Sequence, residues 1–152
     1  MAVRDRWTPE GERFRKQLKE LAGLEVRAGF QSDGSCGEGT DITDIAMWNE
    51  LGTVNIPSRP FMRDSVDKHA DDINRMLTEQ KAALLGGATA GDILNTAGIF
   101  IKDLMQTEIE QGDFVPNAPR TIRRKGSDKP LIDTGRMKNS VNYWVVKKGS
   151  AD

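Results

Sequence analysis

Asp133, Thr134 and Gly135 stand in the order used by aspartic proteases, where two carboxylates share one proton and activate a water. One copy of the motif supplies one carboxylate, so that chemistry would require a homodimer. Arg136 follows Gly135, where such enzymes usually carry a small residue. The apolar pattern is mostly helical, and neither a second β-rich half nor a flap-like hairpin is visible in it. The plainer reading is that Asp133 or Thr134 caps the next helical turn and Gly135 relieves crowding there. On that reading the chain has no catalytic residue and is not an enzyme.

Other reactive types are sparse. His69 is the sole histidine and stands near Asp71 and Asp72, with no cysteine or second histidine at a metal-binding spacing. It reads as a solvated helical histidine, and no metal or cofactor is expected. Gly34, Gly37 and Gly39 lack the strand-to-helix setting and the lysine of a phosphate-binding loop. Arg120, Arg123, Arg124, Lys125 and Lys129, opposed only by Asp128, form the strongest local charge signal. Such a cluster suits DNA phosphates, which it would grip without reading sequence. It equally suits an acidic neighbour or plain solvent. No aromatic residues interleave it, which disfavours stacking on single strands.

Composition limits the partners. The 152 residues carry a formal net charge of -1, so any polyanion must be met by a local patch. Cys36 is the only cysteine, which rules out an intramolecular disulfide and fits a reducing compartment. No run approaches the roughly 20 apolar residues of a membrane span, and Met1 to Trp7 lacks the apolar core of a signal peptide. Synthesis in the cytosol is the expectation.

Local signals outline one domain over residues 1–152. Thr8 and Pro9 start a helix that carries Phe14, Leu18 and Leu21 and stops at Gly23, so residues 1–23 form an N-terminal helical segment. Leu24 to Phe30 alternates as a half-buried strand, and Gln31 to Thr40 is a Gly-rich loop. Asp41 caps a helix to Leu51. The prolines at 57 and 60 impose an extended arm on Ile56 to Pro60. One long helix is expected from Phe61 to Leu85, its stripe being Val66, Ala70, Ile73, Leu77 and Leu84. After Gly86-Gly87 a second runs from Ala90 to Gln111, with Ile93, Ala97, Phe100, Ile101, Leu104 and Ile109 inward. Residues 113–132 read as an irregular loop, and Val141 to Val146 as the last strand. Trp48 and Trp144 read as core. The fold class is α+β: a small, mainly antiparallel sheet packed against two long antiparallel helices, with extended loops.

Two motifs carry a family resemblance. Trp48-Asn49-Glu50-Leu51-Gly52-Thr53, followed by Ile56-Pro57-Ser58-Arg59-Pro60-Phe61, resembles the N-E-apolar-G-T and I-P-x-R-P-F signature of neck and tail-completion proteins of tailed bacteriophages. That group includes lambda-like tail components and Mu-like virion-morphogenesis proteins. Phe114-Val115-Pro116, Ala118-Pro119, Thr121-Ile122, Lys125-Gly126, Pro130-Leu131, Asp133 to Met137 and Ser140-Val141 resemble its second signature. The resemblance spans roughly residues 24 to 146.

It implies a virion structural protein at the head–tail joint, assembled in the host cytoplasm. Such a protein acts in a homo-oligomeric ring, commonly sixfold or twelvefold, around the channel that DNA crosses. Its partners would be copies of itself and other neck, connector or tail proteins, with non-specific DNA contact and no membrane. A head-to-tail ring needs two complementary surfaces per subunit. The expected interface residues are Arg59, Pro60, Phe61, Phe114, Pro116, Asp133 and Arg136. The basic residues 120 to 129 would face the channel or an acidic partner. Arg59→Ala and Phe61→Ala are then expected to spoil assembly more than they unfold the subunit, as paired melting and assembly assays would read.

Overall fold

Capping chemistry sets the helix starts in the computed structural model, which describes residues 6–34 and 39–151. Cys36 and the residues before Arg6 lie outside the described residues. Helix α1, Pro9–Ala22, begins where Thr8 accepts a hydrogen bond from the Gly11 amide at 3.2 Å. Strand β1, Leu24–Gly29, follows directly. Helix α2, Ile42–Leu51, is capped by Asp41, which accepts from the amide and hydroxyl of Thr43 at 2.9 and 2.6 Å. The Ser32 hydroxyl also donates to Asp41. These bonds, Ser32 first and then Thr43, hold the Asp41 carboxyl below its ordinary value of 3.8.

The helix expected from Phe61 to Leu85 is broken. It forms α3, Phe61–Asp67, and α4, Ala70–Leu85, with His69 between them at φ -114° and ψ 21°. Neither proline nor glycine stands at the break, so the cause is tertiary. α3 buries Phe61 and Ser65 while α4 buries Met76 and Leu84, and both elements lie on the same long helix. The bend lets each segment turn its own apolar positions toward that helix. Val66 and Leu77, expected in one inward stripe, are consequently exposed. His69 is half-buried at the bend, its ring nitrogen 3.3 Å from Asp72.

Helix α5, Ala90–Gln111, opens with a reciprocal capping box between Thr89 and Asp92. Gln17 of α1 adds an acceptor for the Ala90 amide at 2.7 Å. α5 runs antiparallel to the bent pair. The turn at 86–89 joins them at one end, and Lys68 meets Glu108 at 2.5 Å toward the other. Helix α6, Pro119–Lys125, and helix α7, Arg136–Ser140, precede strand β2, Asn142–Lys147. α6 corrects the irregular loop expected over 113–132. Pro119 starts it and Gly126 ends it, but seven residues are too few to show a helical period.

β1 and β2 pair antiparallel, from Leu24 opposite Lys147 to Gly29 opposite Asn142, as a two-stranded sheet. Of the two long helices expected on the sheet, α5 lies on both strands, whereas α4 packs against α5 and α1. Gly98 makes the close approach possible, since a Cβ there would stand 2.1 Å from the Tyr143 ring. The main core gathers Ile42, Ala46, Phe61, Met105, Ile109, Leu131, Met137 and Val141. Phe30 meets Phe61 edge to face at 5.9 Å. Trp144 is half-buried, and Trp48, expected in the core, is 37 % exposed.

Gly98→Ala should destabilise the protein although alanine is the better helix former. An intrinsic gain of about 1 kcal/mol is set against an overpacking cost of roughly 1–3 kcal/mol. Adding Tyr143→Ala should turn the same change stabilising in urea melts. For Asp41 the sign follows from its depressed pKa: the cap contributes fully above 3.8 and is lost as pH falls through the folded value. The melting-temperature deficit of Asp41→Ala should therefore narrow as the solution is acidified below that point.

Candidate functional site

Arg59 joins the two motifs. α2 ends at Gly52, whose φ of 79° and tight surroundings explain that residue. A Cβ there would lie 2.8 Å from the Ser58 amide nitrogen and 3.0 Å from the Ile56 carbonyl. The chain then turns at Thr53 to Ile56 and runs back along the end of α2. The Arg59 amide donates to the Asn49 carbonyl at 2.6 Å and the Ser58 hydroxyl to the Glu50 carbonyl at 2.8 Å. Glu50 reaches past the arm, accepting from the Met62 and Arg63 amides at 2.8 and 3.2 Å. It thereby caps α3, which has no side-chain cap of its own at Pro60.

The Arg59 side chain turns inward and is 4 % exposed. Its Nε donates to the Val115 carbonyl at 2.8 Å, and its Nη2 to the Pro116 carbonyl at 3.3 Å and Asn117 Oδ1 at 3.1 Å. A longer contact of 3.4 Å reaches Asn49 Oδ1. Asn117 donates in turn to the Lys129 carbonyl at 3.2 Å. All four acceptors of the guanidinium are neutral, and burial lowers its pKa from the ordinary arginine value.

Between the motifs lies an open cleft of about 630 Å³. Asn49, Ile56, Pro57 and Arg59 line one side; Asn117, Thr121, Arg124 and Lys125 line another. Leu131, Asp133, Thr134, Arg136 and Met137 complete it. Desolvation depresses the Lys125 pKa; the Asp133 charge opposes this, and Arg59 and Arg124 add to it. The Lys125 ammonium donates to the Lys129 carbonyl at 3.0 Å.

Several expected site residues sit elsewhere than the sequence suggests. Arg59 and Phe61, expected at an interface, are buried within the subunit, Phe61 at 0 % exposure. Pro60 and Phe114 are half-buried, and Lys68 stands 5.8 Å above the Phe114 ring. Pro116 and Asp133 are exposed. Arg136 pairs with Asp33 and donates to the Thr40 carbonyl at 3.4 Å. Neither Asp133 nor Thr134 caps α7, whose N-cap is Gly135 at φ 81°; Thr134 offers the Arg136 amide only a 3.4 Å contact. The basic cluster divides, Arg124 and Lys125 lining the cleft and Arg120, Arg123 and Lys129 lying outside it. Asn49, Glu50 and Asn117 belong to the site although none is among the residues expected there. The signal for Glu50 was a proline-led helix with no local cap.

Asp133 is the sole carboxylate that lines the cleft among the described residues. A protease dyad would thus need Asp133 of a second copy. Among the described residues no group of three or more metal-ligating side chains stands together, and no helix is long and apolar enough to cross a membrane. The chain matches no protein-family model, no curated protein and no solved structure.

The placement of Arg59 and Phe61 reverses the expectation for their variants. Arg59→Met should lower stability by about 3 kcal/mol or more, from two or more charge-assisted bonds at roughly 1.5–3 kcal/mol each. Phe61→Ala should lose about 3–5 kcal/mol. Arg120→Gln, on the exposed face of α6, should stay within about 0.5 kcal/mol. Urea denaturation of the three variants checks all of these.

Proposed function

We propose that this chain is a structural component of the head–tail joint of a tailed bacteriophage. It would be one subunit of a homo-oligomeric ring, sixfold or twelvefold, that joins tail to head around the DNA channel. Assembly would take place in the host cytoplasm on other neck, connector or tail proteins. The observation that carries the reading is that its two signature motifs meet in space, with Arg59 of the first clamping the carbonyls of Val115 and Pro116 in the second. Motif residues that serve each other across the fold form one structural unit, which is how a two-part signature comes to mark one kind of protein.

The surface also supports an assembly role. Leu51 is 64 % exposed and Val54 102 % exposed, beside the exposed Met47 and Trp48. Four large apolar side chains at one helix end suit a protein contact better than solvent.

A second reading, a DNA-binding accessory protein, draws on α6. Arg120, Arg123 and Arg124 are exposed there and take part in none of the ion pairs among the described residues. Light scattering of the purified protein, alone and mixed with tails, separates the two. A sixfold or twelvefold species in either sample is the expected result. A dimer that never grows, together with retardation of duplex DNA at physiological salt, would favour the accessory protein instead.

A further inference from the structure

The cleft between the motifs is charged out of balance. Arg59, Arg124 and Lys125 face one carboxylate, Asp133, while the fourth cation of the wall, Arg136, already pairs with Asp33. None of the first three forms an ion pair among the described residues, and the fixed partners of Arg59 and Lys125 are neutral oxygens. Arg59 and Lys125, held partly out of water without a counter-charge, favour any anion that can enter beside the exposed Arg124. Asn49, Asn117, Thr121 and Thr134 add neutral polar groups to the wall, and the half-buried Ile45, Ile56 and Pro130 give it an apolar part. About 630 Å³ lies within the roughly 300–1,000 Å³ of pockets that enclose small ligands. It has room for a few side chains.

We propose that this cleft is a socket for a short acidic segment of a partner protein, one that sets a carboxylate beside an aliphatic side chain. The inference rests on the reading of the chain as an assembly component and names the chemistry of one neighbour. The carboxylate would meet Arg124 and Lys125, and the aliphatic group would lie against the half-buried Ile45, Ile56 and Pro130. Duplex DNA fits less well, because its phosphate surface would leave Ile45, Ile56 and Pro130 unused. Arg120 and Arg123, outside the cleft, are the cations placed for a broad anionic surface.

The test is selection of random heptapeptides on the immobilised full-length protein, followed by affinity and amide-shift measurements on the winners. Enriched peptides should carry Asp or Glu next to Leu, Ile or Val. They should bind at least tenfold more weakly to Arg124→Glu and Lys125→Glu proteins that keep the wild-type melting temperature. Amide shifts on the wild-type protein, which need no variant, should centre on Thr121, Lys125, Leu131 and Thr134. Basic or uncharged winners, no enrichment, or shifts centred elsewhere would overturn the proposal. So would duplex DNA moving these same amides. Peptide capture reads the isolated subunit and light scattering reads the ring, so either reading can fail while the other stands.

Discussion

A guanidinium held by neutral oxygens organises this molecule. Removing Arg59 from water is costly, and the cost is offset only if several acceptors converge on it. The Val115 and Pro116 carbonyls and the Asn117 side chain do so, which fixes the course of the chain between α5 and α6. The Arg59 amide meanwhile ties the arm to Asn49 at the end of α2. Phe61, two residues on, enters the core beside Phe30. One residue thus couples α2, α3 and the segment that leads to α6. Arg59, Asn49 and Asn117, which make that coupling, also line the cleft.

Charge placement follows from this constraint. Because Arg59 is satisfied by carbonyls and an amide rather than by a carboxylate, its positive charge stays in the wall. α6 then brings Arg124 and Lys125 to the same cleft. The C-terminal turn of a helix favours cations through its dipole, so basic residues gather there at little cost. Elsewhere the ion pairs serve packing. Glu108 is buried beneath Lys68, whose pKa rises chiefly through that bond, and the pair fastens the α3–α4 bend to α5.

What was legible in the sequence were the local signals. Thr8 with Pro9, and Asp41, each start a helix within four residues, and each acts where its chemistry says it should. Both strands and the α+β class were visible for the same reason. Contacts between residues far apart in sequence were hidden. Glu50 caps a helix eleven residues later, and the proline pair around Arg59 looks the same whether the arginine points out or in. The bend at His69 has no breaker residue, because it is imposed by the surface of α5. Asp133-Thr134-Gly135 was read as a cap, yet the turn is made by the glycine backbone and the carboxylate is left at the cleft.

The pairing of Leu24 with Lys147 sets an order of events during synthesis. β1 precedes helices α2 to α7 and β2 follows them, so among the described elements the strand that completes the sheet is made after all the helices. Val141 and Met137 of the main core arrive almost as late. Closing a long loop carries an entropic cost that grows slowly with its length and slows folding. A chain broken off before α7 would lack both the sheet and the core residues Met137 and Val141.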